Sequence, residues 1–105
     1  MINLLITTGE TDKLSELLSR ININLEYTDS DGNTPLNVAS QNGYAGIAEV
    51  LLKYGSIINT QNLEGNTPLH YANTYNFPQM LTLLVSNGAN QTIQNNNGKI
   101  PWEGL

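Results

Sequence analysis

The apolar residues of this chain fall into short clusters, and the order of the clusters repeats along the sequence. Each copy holds two clusters with helical spacing, one directly after a Thr-Pro pair and one about ten residues later. A stretch of β-branched and polar residues then leads to a Gly turn, which predicts an extended arm with a hairpin tip. In the first complete copy the two clusters are Leu36, Val38 and Ala39, then Ile47, Val50 and Leu51.

Residues with special backbone preferences mark the ends of these predicted helices. Thr34 suits the N-cap and Pro35 the first helical position, where the missing N–H costs nothing. Gly43 supplies the positive φ that ends the helix, and Asn76 stands in its place in the next copy. Pro78 falls in the first turn of the following helix, where proline is tolerated. The second helix of the first copy is expected to stop at Gly55, and the copies therefore predict alternating short helices.

One five-residue motif recurs at a fixed step of 33 residues. Gly-Asn-Thr-Pro-Leu at 32–36 returns at 65–69, and a degraded form occupies 98–102. Gly55 and Gly88 repeat at the same step. A period of this size is typical of a small unit that stacks on copies of itself, because one unit alone cannot bury its apolar face.

The repeats divide one domain, 1–105, into four parts. We predict an opening helix pair without its hairpin at 1–28, with Met1 in the place of Pro35. Two full repeats follow at 29–61 and 62–94, and a partial repeat at 95–105 stops within its first helix.

Composition narrows the function classes. The net charge is −5, and the four basic residues are too scattered to form the cationic face that nucleic acids or anionic membranes require. There is no cysteine and no apolar segment of transmembrane length. The chain is expected to be cytoplasmic, with the nucleus left open, and the glycosylation pattern at Asn90 to be chance. The 16 asparagines reflect either codon usage or the suitability of Asn for turns.

The motif Gly-x-Thr-Pro-Leu-x-x-Ala, followed by an apolar pair and Gly in each 33-residue unit, resembles the ankyrin repeat family. Residues 65–72 match at every usual position, and 32–39 match except for Asn37, where His is typical. The resemblance covers nearly the whole chain. It implies an all-α solenoid of stacked helix-turn-helix pairs joined by short β-hairpin loops. It also implies binding of another protein through a concave face of hairpin tips and inner helices.

The resemblance further implies which positions contact a partner: residues flanking each hairpin Gly and those just before the turn between helices. In this chain they are Ser30, Asp31, Asn33, Gln41, Asn42, Leu63, Glu64, Asn66, Thr74, Tyr75, Asn96, Asn97 and Lys99, with Thr7 and Thr8 from the opening helix pair.

Tyr75 and Leu63 are large side chains at positions that the pattern places in solvent. Both residues could be interface anchors. Alternatively, the Tyr75 ring packs over the neighbouring repeat and Leu63 is an isolated apolar residue on the surface. The acidic group Glu26, Asp29, Asp31 and Glu64 either attracts a partner with a basic patch or serves the turns themselves.

The sequence contains few residues that could support catalysis or metal binding. His70 is the single histidine, and the resemblance gives it a structural role, holding the Thr hydroxyl and backbone of the turn. A catalytic or metal-binding role for His70 is not expected, because no second potential ligand stands at a suitable spacing from it. Trp102 is expected to cover Leu83 and Leu84 at the end of the stack. We therefore predict no catalysis, no metal and no cofactor.

Two functions fit these observations. The first is a monomeric protein-interaction module. The alternative is an architectural stack that forms a homodimer or caps a larger assembly, because a short stack leaves apolar end faces open.

Overall fold

A computed structural model describes residues 2–105, and Met1, predicted to begin the first helix, lies outside the described residues. The described part of the chain contains six α-helices and a terminal 3₁₀ helix and no strand, and turns and loops connect the helices. Their bounds are α1 Ile2–Thr7, α2 Thr11–Arg20, α3 Pro35–Asn42, α4 Ala45–Lys53, α5 Pro68–Thr74, α6 Pro78–Ser86 and the 3₁₀ helix Pro101–Glu103.

The helices form two parallel rows. The inner row runs α1, α3, α5 and the 3₁₀ helix, each packed on the next, and the outer row runs α2, α4 and α6. The inner helices α1, α3 and α5 also pack on the outer helices that follow them in the chain, α2, α4 and α6. The result is an elongated body of 39 × 27 × 21 Å, which confirms the predicted all-α solenoid.

The core lies between the two rows and runs the length of the stack. Each helix contributes at least one side chain that is buried, and Leu14, Ala48, Leu51, Met80 and Leu84 have no exposed surface. Because every repeat buries its apolar residues against its neighbours, the stack is one continuous core.

The inner helices begin as predicted. Thr34 is the N-cap of α3 and Thr67 that of α5, and each hydroxyl accepts from the backbone N–H three residues on. Pro follows at the first helical position in both. The turns into the outer helices pass through Gly43 at φ +70° and Asn76 at φ +56°, which confirms the predicted left-handed Asn.

The terminal repeat shows why its helix is short. Ile100 occupies the N-cap position and has no side-chain oxygen to accept a backbone N–H. Glu103 reaches back to accept from the Ile100 N–H at 2.9 Å, but only one 3₁₀ turn forms. The inner helix of this unit is therefore limited to the 3₁₀ turn Pro101–Glu103.

Candidate functional site

The hairpin tips share one turn geometry, set by the residue that opens each turn. Asp29 Oδ1 accepts from the backbone N–H groups of Asp31 and Asn33, both at 2.9 Å. Asn62 and Asn95 make the same pair of bonds, one and two repeats later. The backbone N–H of Asn33 is the main cause that lowers the pKa of Asp29. An Asx residue at this position therefore fixes the shape of every tip.

Consecutive tips are joined through their backbones. The Leu63 N–H donates to the Asp31 carbonyl at 3.0 Å, and the Asn96 N–H donates to the Glu64 carbonyl at 3.0 Å. Because the two bonds lie one repeat apart, the three tips form one row with a regular spacing.

A second set of bonds joins the tips through asparagine side chains. Asn62 Nδ2 donates to Asn33 Oδ1, and Asn95 Nδ2 donates to Asn66 Oδ1, both at 2.9 Å. We call this pair of contacts the asparagine ladder. Its two bonds join equivalent pairs of residues that lie one repeat apart, and each bond connects one repeat to the next.

Because of the asparagine ladder, part of the predicted contact surface is wrong. Asn66 was expected to face a partner, yet it is 3% exposed and its side chain is held by the ladder. Asn33 is half-buried, since its Oδ1 accepts from both Asn62 and Gln41 Nε2. Gln41 is also half-buried, and its Nε2 makes the bond to Asn33 Oδ1. Asn66 therefore lies below the surface, and its amide holds two repeats together.

The remaining predicted contact residues are exposed: Ser30, Asp31, Asn42, Leu63, Glu64, Thr74, Tyr75, Asn96, Asn97, Lys99, Thr7 and Thr8. Leu63 is 69% and Tyr75 47% exposed, which are high fractions for large apolar or aromatic side chains. The hydroxyls of Thr7 and Thr8 donate to the backbone carbonyls of Asn3 and Leu4 in α1, so both are partly occupied.

A groove of about 740 Å³ runs between the first two tips and the inner helices. It brings together five of the predicted residues, Asp31, Asn33, Gln41, Glu64 and Tyr75. Tyr71, Phe77 and Leu105, which the sequence analysis did not assign to the site, complete its lining.

Three aromatic rings form a continuous row along this groove. The ring centroids of Tyr71 and Tyr75 are 5.9 Å apart, and those of Tyr75 and Phe77 are 6.1 Å apart with an edge-to-face arrangement. Tyr71 is buried and its hydroxyl accepts from Asn62 Nδ2 at 2.6 Å. The i, i+4 spacing of the two tyrosines was the signal that could have placed Tyr71 here.

The acidic residues separate into two kinds. Asp29 serves its own turn, and Glu26 Oε2 accepts from the Ile57 N–H at 3.2 Å in the next repeat. Among residues 2–105, the carboxylates of Asp31 and Glu64 have neither a hydrogen bond nor an ion pair. Of the four acidic residues near the tips, Asp31 and Glu64 are therefore the two whose carboxylates are unoccupied within this range.

His70 is a structural bridge, as the resemblance implied. Its ring is fully buried, and Nδ1 lies 2.8 Å from Thr67 Oγ1 and accepts from the Thr67 N–H at 3.1 Å. Nε2 lies 2.8 Å from the Lys99 carbonyl. Because a carbonyl cannot donate, Nε2 carries the proton. The ring joins the start of α5 to the next hairpin and has no access to a substrate.

No group of three potential metal ligands occurs among residues 2–105. Within the same range no helix is long and apolar enough to cross a membrane. Trp102 is 42% exposed, and its Nε1 donates to Gln91 Oε1 at 3.3 Å.

Known proteins share this repeat. A family model of ankyrin repeats in three copies matches residues 2–97. The chain is similar to the potassium channel AKT2/3 of Arabidopsis thaliana, with 42% identity over 55% of this chain and 7% of the channel. It is also similar to synphilin-1 of Mus musculus, with 37% identity over 47% of this chain and 5% of that protein. The matched segments span less than a tenth of either relative. Ankyrin repeats are in general protein-interaction modules, and this chain belongs to the ankyrin repeat family.

Proposed function

We propose that this chain is a protein-interaction module without catalytic activity, and that a partner protein binds along the tips and the groove beside them. The observation that carries the proposal is the exposure of Leu63 and Tyr75 beside a row of tips whose spacing is fixed by backbone bonds. Exposed aromatic residues held on a rigid frame are typical interface anchors, because little entropy is lost on binding, and Leu63 adds exposed apolar area at the second tip.

The dimensions of the surface are adequate for such a role. A standard interface buries roughly 800 Å² on each partner. The chain exposes 5643 Å² in total, so an interface of this size takes about a seventh of its surface. Two full repeats with a partial repeat at either end are near the minimum for such an interface, and an affinity in the moderate range is expected.

The test begins with a display library of natural protein fragments, selected on the immobilised chain. Binders are then measured against the double variant Leu63→Ala with Tyr75→Ala. We expect binding at least about tenfold weaker, because truncated anchors lose 1 kcal/mol or more each. Helical circular dichroism should stay unchanged, since both side chains are exposed.

A matched control removes similar apolar area elsewhere. Ile57 is 58% and Val85 39% exposed, and neither lines the groove. The double variant Ile57→Ala with Val85→Ala should bind as the unchanged chain does. If the control loses binding while the Leu63 and Tyr75 variant keeps it, the proposed surface is wrong.

Self-association is a second candidate function, and one patch favours it. On the first helix pair, at one end of the stack, Ile21 and Ile23 line a cleft with Ile2 and Leu17 and are 44% and 41% exposed. Such an end face can pack against a second copy. Light scattering at several concentrations distinguishes the two functions. The interaction module should be a monomer at every concentration. A dimer that is lost in the double variant Ile21→Ser with Ile23→Ser would support the self-associating stack.

A further inference from the structure

We propose that the groove between the first two tips binds an arginine side chain from a basic segment of the partner, with the guanidinium stacked on the Tyr75 ring between the carboxylates of Asp31 and Glu64. This inference rests on the proposed function, since it uses the same surface. It adds the chemistry of what the groove accepts.

The local charge favours a cation. Asp31 and Glu64 both line the groove, and within residues 2–105 neither has an ion-pair partner. None of the basic side chains lines the groove: Arg20 pairs with Glu16 on α2, and Lys53 lies over the Tyr54 ring. A cation entering here therefore meets two carboxylates without displacing a resident one.

The aromatic row favours a flat cation. Tyr75 is 47% exposed, and its ring is held between Tyr71 and Phe77 at centroid distances of 5.9 and 6.1 Å. A ring fixed in this way keeps its position when a ligand binds. Guanidinium stacks on aromatic faces and binds carboxylates through a planar set of donors, whereas ammonium is a compact, strongly hydrated charge. Arginine therefore fits the groove better than lysine.

The groove has few donors left for an anion. Gln41 Nε2 donates to Asn33 Oδ1, and Asn62 Nδ2 donates to both Asn33 Oδ1 and the Tyr71 hydroxyl. Both amide nitrogens thus donate to acceptors within the protein, while the carboxylates of Asp31 and Glu64 have no hydrogen-bond partner among the described residues. An acidic segment would find like charge and few free N–H groups.

The test uses nuclear magnetic resonance titrations with three capped five-residue peptides that differ only in the central residue: arginine, citrulline or lysine. Citrulline keeps the shape of arginine and lacks the charge. We expect the arginine peptide to shift the backbone amides of Asp31, Glu64 and Tyr75 in a saturable way that weakens with added salt. The citrulline peptide should bind at least about fivefold more weakly, and the lysine peptide should lie between them.

Two variants separate the parts of the site. Asp31→Asn with Glu64→Gln should weaken the arginine peptide about fivefold, and Tyr75→Leu, which keeps an apolar side chain, about two- to fivefold. The matched control Asp12→Asn with Glu49→Gln removes two exposed carboxylates on α2 and α4, and should leave binding unchanged.

The inference is overturned if the arginine and citrulline peptides bind equally, or if the control variant loses as much as the groove variant. Either result leaves the proposed function standing as long as Leu63→Ala with Tyr75→Ala still weakens the selected binders. If those binders are also unaffected by that double variant, both the inference and the proposed function fail.

Discussion

The variant His70→Ala should lower the free energy of unfolding by about 3 to 4 kcal/mol, the largest loss that we expect from a polar residue in this chain. The imidazole is fully buried and serves the Thr67 N–H and hydroxyl on one side and the Lys99 carbonyl on the other. Alanine leaves all three groups without their partner and adds a cavity. Urea unfolding followed by circular dichroism measures the loss.

The preceding repeat supplies the control for this variant. Asn37 occupies the position equivalent to His70, and its Oδ1 accepts from the Thr34 N–H at 3.0 Å while Nδ2 donates to the Thr60 carbonyl at 3.3 Å. An amide at this position therefore serves the N-cap threonine and reaches the stretch before the next tip, although at Thr60 and not at Asn66, the residue equivalent to Lys99. His70→Asn should lose only about half as much as His70→Ala. A loss below about 1 kcal/mol for His70→Ala, or equal losses for the two variants, would contradict the bridging role.

The variant Gly65→Ala should lower the free energy of unfolding by about 3 kcal/mol. Gly65 has φ +78°, which costs a non-glycine residue about 1 kcal/mol. An added Cβ would also lie 2.6 Å from Asn96 Oδ1 and 2.8 Å from the Asn96 backbone nitrogen. The neighbouring tip cannot retreat without stretching the bond from the Asn96 N–H to the Glu64 carbonyl.

Gly98→Ala is the matched control, since it separates backbone strain from the close approach of the tips. Gly98 has φ +74°, close to that of Gly65, and nothing lies within 4 Å of an added Cβ. It should lose only about 1 kcal/mol, from the backbone alone. The difference of about 2 kcal/mol measures the contact between neighbouring tips, and equal losses in thermal or urea unfolding would show that the tips are not packed.

Features that depend on nearby residues were predictable from the sequence. Thr34 and Thr67 begin helices because their hydroxyls accept N–H groups three residues away. Asn76 adopts the left-handed conformation that Gly43 has one repeat earlier. The 33-residue period then predicts which helices stack, since a unit of this size must bury its apolar face on its neighbours.

The surface proposed to bind a partner was predictable only in part. Leu63 and Tyr75 are exposed, as the pattern predicts for residues beside a hairpin Gly and before a helix turn. Asn66 was misplaced because its environment depends on how closely Asn95 of the next repeat approaches. The sequence does not give that distance. The ladder also gives several asparagines a structural use, which favours the turn explanation for their number.

The acidic residues show the same division. Asp29 and Glu26 looked equivalent to Asp31 in the sequence, yet backbone N–H groups occupy them, and for Glu26 the donor lies in the next repeat. Phe77 and Leu105 reach the groove through the packing of separate elements. Leu105 has no counterpart one repeat earlier that lines the groove, so no repeat pattern indicates its position.

A partner protein is expected to bind along the row of tips and the groove. Amide hydrogen exchange of the chain, measured with and without a binder selected from the fragment library, shows where the partner lies. We expect new protection at residues 30–33, 63–66 and 74–77, with little change in α4 and α6. Protection confined to the outer helices, or to the apolar patch of Ile21 and Ile23, would rule out this binding surface.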